Sequence, residues 1–224
     1  PITTPEQWQI RRQHILAGMQ EVMGPLPDIS KFPPLDVKVT DTFAGDGYKR
    51  LTLSFATEAR DRVPAYLYRP NNIPAGKKLA AIVALHPTGE LGKKICDGEG
   101  ALPGRGYGRE LALRGYVVIA PDYPSFGDLK NYSFLADNYA SATMKAITNH
   151  RRCIDLLATR PEVDITRVGA IGHSLGGHNS MFLAAFDERV KANVSSCGWC
   201  PFREYYGYFE GKLSGWAQDK YMPR

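Results

Sequence analysis

The hydrophobic pattern begins with a helical period and later changes to that of strands. Apolar residues between Trp8 and Met23 recur every three or four positions, which predicts an amphipathic helix. Thr4 is suited to cap its first turn, with Gln7 completing a capping box, and Gly24 is suited to end it. We interpret residues 1–30 as an N-terminal helical segment that precedes the main domain.

Residues 31–70 show the alternation and clustering of short strands. Apolar positions at 37–39, 51–55 and 63–68 are separated by turn-like stretches, which predicts antiparallel strands. Pro64 indicates an interruption or an edge in the third strand, because proline cannot donate a backbone hydrogen bond.

From residue 79 onward, strands alternate with helices. Continuous apolar runs predict strands that are covered on both faces. Three connections that each carry a helix favour a parallel sheet between two helical layers. The fold class is therefore α/β: a mostly parallel central sheet with helices on both faces and antiparallel strands at its N-terminal edge, formed by residues 31–224. The strands are predicted at 79–85, 116–120, 168–171 and 190–196, and the helices at 110–114, about 139–159 and after 174.

Composition narrows the functional classes. The chain has 224 residues, enough for one domain with a sizeable core, and its 28 basic and 23 acidic residues give a net charge of +5. The basic residues are scattered, so we predict no nucleic-acid partner, and no apolar run approaches a membrane span. No histidine or acidic cluster has ligand spacing, so we predict neither a metal nor a cofactor.

Residues 172–176 read Gly-His-Ser-Leu-Gly and follow a short apolar run. The pattern G-x-S-x-G between a strand and a helix is typical of a nucleophile elbow. The two glycines allow a turn too tight for side chains, and the turn exposes the hydroxyl of Ser174 at a helix N-terminus. Ser174 is therefore the predicted nucleophile.

With this elbow, the chain resembles the α/β-hydrolases, and within them the dienelactone hydrolase and bacterial acetyl (xylan) esterase-like group. The supporting segments are AIVALHPTG at 81–89, PDYPSFGD at 121–128 and VSSCGW at 194–199. The resemblance implies a serine esterase that acts on short-chain, acetyl-type esters, with a small-molecule or carbohydrate ester as its substrate. It also implies an oxyanion hole built from the backbone N–H groups of Leu175 and Thr88. The candidate substrate contacts are His86, Asp128, His173 and Trp199.

The resemblance also implies an acid and then a histidine after Ser174. The five histidines are His14, His86, His150, His173 and His178, and none follows residue 178. His178 lies one helical turn beyond the nucleophile, and His173 lies within the elbow. We therefore expect that the chain is a fragment, and that the acid and histidine come from a missing C-terminal part of the domain, in the same or another chain.

Three other functions remain open at this stage. A serine peptidase of the prolyl-oligopeptidase type shares the elbow and the sheet. The C-x-x-C spacing of Cys197 and Cys200 is that of thiol redox proteins. A non-catalytic binding module would also explain the incomplete triad. The sequence fixes neither the acyl length nor the alcohol of the ester, nor the compartment.

Overall fold

The computed structural model describes residues 1–133 and 138–199. Within these residues, seven strands form one sheet in the order β1-β2-β3-β5-β4-β6-β7. The strands β1 to β3 and the β3–β5 pair are antiparallel, whereas β5, β4, β6 and β7 are parallel. The predicted fold class is confirmed. The strands are Lys38–Ala44 (β1), Tyr48–Glu58 (β2), Asp61–Pro70 (β3), Leu79–Leu85 (β4), Val117–Pro121 (β5), Val163–His173 (β6) and Val190–Ser196 (β7).

Four α-helices in the described part of the chain accompany the sheet. They are Pro5–Met23 (α1), Tyr107–Leu113 (α2), Ala142–Ala158 (α3) and Leu175–Phe186 (α4). The predicted capping box of Thr4 and Gln7 is present at the start of α1, and Gly24 caps its end. No helix in the part of the chain that the structure describes is long and apolar enough to cross a membrane.

The sheet separates two apolar layers, because successive side chains of a strand point to opposite faces. On one face, Leu67 and Val83 pack against α3 and α4 through residues such as Ile154 and Leu183. On the other face, Tyr68 packs against α2. Met23 of α1 belongs to a third cluster with residues of α3 and α4, so the N-terminal helical segment packs on the same body.

The expectation for Pro64 was wrong. The strand β3 is internal and continuous, and Pro64 pairs with Ser54 of β2. Its carbonyl oxygen faces the other neighbour and accepts a hydrogen bond from the N–H of Asp122, just past the end of β5. In an antiparallel strand the N–H and C=O of one residue face the same side. The missing N–H of Pro64 therefore removes no bond to β2.

Candidate active site

The turn between β6 and α4 carries the predicted nucleophile. Ser174 has φ 55° and ψ −117°, a positive φ that non-glycine residues seldom adopt. Its N–H donates to the carbonyl oxygen of Ser196 at 2.7 Å, which ties the turn to the end of β7. The side chain is half-buried. Such strain, held in place by neighbouring backbone, is typical of functional sites.

The glycines on either side of Ser174 are needed because the backbone segments approach closely. A Cβ atom on Gly172 would lie 2.1 Å from the carbonyl of Gly176. A Cβ atom on Gly176 would lie 1.9 Å from the carbonyl oxygen of Leu85, at the end of β4. The first turn of α4 is therefore packed directly on the strand that leads into the predicted oxyanion loop.

The helix N-terminus provides donors beside the serine. Leu175 is the first residue of α4, and no side chain among the described residues caps this end. The first N–H groups of a helix lack intrahelical partners and carry partial positive charge. Within the described residues, no side chain or backbone group hydrogen-bonds to the Ser174 hydroxyl. The N–H of Leu175, the predicted oxyanion donor, thus lies at this helix N-terminus directly after Ser174.

His86 is fully buried, so the structure corrects its prediction as a substrate contact. Its ring stacks on Tyr123 with centroids 3.9 Å apart, and Nδ1 donates to the carbonyl oxygen of Pro87 at 2.7 Å. The Tyr123 hydroxyl donates to the carbonyl oxygen of His86. Burial lowers the pKa of His86 to about 4. The side chain supports the turn that presents Thr88, and Thr88 is exposed.

Asp128 belongs to a buried ionic cluster at the same edge of the sheet. Lys93 Nζ lies 2.6 Å from Oδ2 of Asp122 and 2.6 Å from Oδ2 of Asp128. Lys93 and Asp122 are buried, whereas the Asp128 side chain is 62% exposed. Burial acts to lower the pKa of Lys93, but the two carboxylates outweigh it and the net shift is upward. The Asp128 carboxylate thus forms an ion pair with Lys93 and remains partly exposed to solvent.

The other two candidate contacts lie on the β7 side of the elbow. His173 Nδ1 is 3.0 Å from Ser196 Oγ, and its ring lines a pocket next to the turn. Trp199 is 80% exposed. Arg105, which also lines this pocket, was not predicted from the sequence, because the glycine-rich segment before α2 read only as a loop.

A general base for Ser174 is missing from the described site. His178 is on the first turns of α4 with its ring against Phe182, and burial lowers its pKa to about 4. His150 is fully buried beside Tyr123. No histidine described by the structure hydrogen-bonds to the Ser174 hydroxyl.

Cys197 is exposed with a free thiol, while Cys200 lies outside the described residues, as does the aromatic stretch that follows. The structure therefore does not test the C-x-x-C prediction. Across residues 1–133 and 138–199, no group of three or more histidine, cysteine or acidic side chains is arranged to hold a metal ion.

Sequence comparison identifies the family. A model of the dienelactone hydrolase family matches residues 64–206. The Bacillus subtilis protein YtaP, which is provisionally named a hydrolase, is 27% identical over 158 residues. That match covers 65% of this chain and 52% of YtaP, so the chain spans about half the length of this relative.

Solved structures share the fold. The glucuronoyl esterase from Solibacter usitatus superposes with a TM-score of 0.65 at 21% identity, covering 87% of this chain and 60% of that one. Acetyl xylan esterase 1 from Thermoanaerobacterium sp. gives a TM-score of 0.57 at 18% identity, covering 89% and 73%. At these identities the likeness establishes the α/β-hydrolase fold of the chain.

Proposed function

This chain belongs to the dienelactone hydrolase family, and we propose that it is a serine carboxylic-ester hydrolase that works through an acyl-enzyme. The observation that carries the proposal is the backbone of Ser174. A positive φ at a serine between two glycines, directly before an uncapped helix N-terminus, supports a nucleophile beside oxyanion donors. A structural serine has no need of this conformation.

The proposed reaction has two steps. Ser174 Oγ attacks the ester carbonyl carbon, and the N–H groups of Leu175 and Thr88 stabilise the negative oxygen that develops. The alcohol leaves with a proton, which gives the acyl-enzyme, and water then releases the acid and restores the hydroxyl. The serine needs a base to accept its proton. Because none of the five histidines is placed for this, we propose that the acid and the histidine lie in a part of the protein beyond this sequence.

For the substrate, we propose short-chain, acetyl-type esters, including esters of carbohydrates. Two observations support this choice. One of the proteins that shares the fold is named an acetyl xylan esterase. In this chain, the exposed indole of Trp199 follows β7 at the carboxyl edge of the sheet, where an aromatic face is free to stack on a sugar ring.

The test compares the full protein with its Ser174→Ala variant on 4-nitrophenyl acetate. We expect kcat/KM to fall by at least about 10³-fold, because the variant retains only binding and oxyanion contributions. Ser30→Ala, at an exposed position outside the elbow and its pocket, is the matched control and should leave the rate unchanged. Equal rates in the wild type and Ser174→Ala would reject the serine mechanism.

The same assay addresses the substrate class. We expect 4-nitrophenyl acetate to be hydrolysed faster than the octanoate ester, and acetylated xylo-oligosaccharides to release acetate. Faster cleavage of a peptidyl arylamide than of any ester would instead favour the peptidase.

A further inference from the structure

The N–H of Thr88, the predicted second oxyanion donor, has its direction set by the peptide plane that it shares with Pro87. The peptide bond between the two residues is trans, so its C=O and N–H point in opposite directions within one plane. The carbonyl oxygen of Pro87 accepts a hydrogen bond from Nδ1 of His86 at 2.7 Å. The N–H of Thr88 must therefore point away from the His86 ring.

This N–H is available to a ligand. No group of the described chain accepts a hydrogen bond from it, and Thr88 is exposed. A backbone donor without an internal partner is satisfied by solvent or by a ligand. The loop also touches the nucleophile helix, because a Cβ atom on Gly176 would lie 2.8 Å from the carbonyl oxygen of His86. The unpaired donor thus belongs to a loop that contacts the first turn after Ser174.

Tyr123 holds the His86 ring in place. The two buried rings stack with centroids 3.9 Å apart and planes inclined by 6°, and the Tyr123 hydroxyl donates to the backbone carbonyl oxygen of His86. A carbonyl oxygen can only accept, so Nδ1 of His86 must carry the proton that is donated to Pro87. The other ring nitrogen, Nε2, has no hydrogen-bond partner among the described residues. Within the described chain, the bond to Pro87 is therefore the only polar contact of this ring.

We propose that His86 and Tyr123 are positioning residues of the oxyanion hole. Tyr123 fixes the His86 ring, and the ring fixes the peptide plane that carries the Thr88 N–H. Donors that are already oriented stabilise a developing oxyanion most, because they need not turn during the reaction. Without the bond from Nδ1, the plane between Pro87 and Thr88 is free to rotate and its N–H loses that orientation. The inference rests on the proposed esterase function and deepens it.

Two substitutions at His86 separate the hydrogen bond from the packing. His86→Asn keeps an N–H donor near the position of Nδ1, whereas His86→Leu has none. On 4-nitrophenyl acetate, we expect His86→Leu to lower kcat about 10²-fold with KM changed less than about 3-fold, because the donor acts on the transition state rather than on the bound ester. His86→Asn should keep kcat within about 5-fold of the wild type. Equal losses of kcat in the two variants, or a rise in KM alone, would overturn the proposal.

Tyr123→Phe tests the second contact with little change in packing. It keeps the stacked ring and removes the hydroxyl that donates to His86, so we expect kcat to fall about 3- to 10-fold at an unchanged KM. Tyr68→Phe is the matched control, since Tyr68 is also buried and its hydroxyl has no hydrogen-bond partner in the described chain. Its kcat should equal that of the wild type. An unchanged kcat in Tyr123→Phe overturns the proposal, and this variant decides the matter if the His86 variants do not fold.

A measurement without turnover and one control separate this proposal from that of the esterase. NMR of the His86 ring nitrogens should show the proton on Nδ1, in the wild type and in Ser174→Ala alike, and a proton on Nε2 would overturn the positioning role. Equal ester hydrolysis by the wild type and Ser174→Ala rejects the esterase, and the positioning role is rejected with it. A large loss in Ser174→Ala, with wild-type kcat in His86→Leu and Tyr123→Phe, rejects the positioning role alone.

Discussion

Two neighbouring parts of the carboxyl edge of the sheet are built in opposite ways. The loops that follow β4 and β5 are held by buried side chains: the Lys93–Asp122 pair and the stacked rings of His86 and Tyr123. The turn that follows β6 depends instead on residues without side chains, since Gly176 packs directly on the backbone of Leu85. The two parts meet where Gly176 approaches the carbonyl oxygens of Leu85 and His86.

The difference teaches how each part responds to change. A scaffold of charged and aromatic side chains depends on every partner, because a buried charge or donor that loses its partner keeps the cost of leaving water. A turn of bare backbone depends on volume alone, because interiors are close-packed and backbone atoms cannot move aside cheaply. We call the loops after β4 and β5 the polar half and the turn after β6 the glycine half. The stability of the polar half should therefore be sensitive to lost contacts and to pH, and the stability of the glycine half to any added atom.

The largest effect is expected in the polar half. Asp122→Ala leaves the buried ammonium of Lys93 with only its exposed partner, so we expect a loss of about 3 to 5 kcal/mol in the free energy of unfolding. Asp128→Ala removes that exposed partner and should cost about 1 kcal/mol or less. Urea denaturation of both variants gives the comparison. Equal losses in the free energy of unfolding would show that the ion pair with Asp122 stabilises the fold no more than the ion pair with Asp128.

A somewhat smaller effect is expected in the glycine half. The methyl group in Gly176→Ala would meet the carbonyl oxygen of Leu85, so we expect a loss of about 3 kcal/mol, together with loss of ester hydrolysis. Gly18→Ala in α1 is the matched control. Outside its own helix backbone and its chain neighbours, no described atom lies within 4 Å of the added methyl group, so helix propensity should raise stability by up to about 1 kcal/mol. A Gly176→Ala protein as stable as Gly18→Ala would contradict the backbone-packing account.

The sequence predicted the elements with strong local patterns. The runs at 79–85 and 190–196 match β4 and β7 residue for residue, and the capping box fixed the start of α1. Apolar runs and caps are local signals, so no tertiary information is needed to read them. The elbow is also a local signal, because the two glycines that its turn requires are part of the motif.

Features set by distant partners were predicted less well. The strand β1 extends through Thr40 and Asp41, where every side chain is exposed and no apolar pattern marks a strand. His86 was predicted to contact substrate, yet Tyr123 and the loop after β5 cover it. Arg105 was missed as a pocket residue because its contact is with His173, which is 68 positions away in the sequence. Contacts between residues that are distant in the sequence depend on the topology of the fold, and a local sequence pattern carries no information about that topology.

The third effect concerns acid, and at one pH unit below the ordinary pKa of histidine, at about 1.4 kcal/mol, it is the smallest of the three. Burial, with a smaller effect of nearby His86, lowers the pKa of His150 from 6.5 to about 3. Neither of its ring nitrogens hydrogen-bonds to the described chain. As the pH falls below about 6.5, the unfolded chain binds a proton at this ring and the folded chain does not. The stability must therefore fall with falling pH between about 6.5 and 3, by up to about 1.4 kcal/mol per pH unit, and the ring has no effect above that window.

The measurement is the free energy of unfolding of wild type and His150→Gln from pH 8 to pH 4. Glutamine is polar and does not titrate, so the variant should lose less stability than the wild type as the pH falls, while the two curves run parallel above pH 7. His14→Gln, on α1, is the control and should follow the wild type, because His14 is exposed. If the wild-type and His150→Gln curves were parallel across the whole range, the His150 ring would take up its proton equally in the folded and the unfolded chain. Acid sensitivity would then not distinguish the loops after β4 and β5 from the glycine turn after β6.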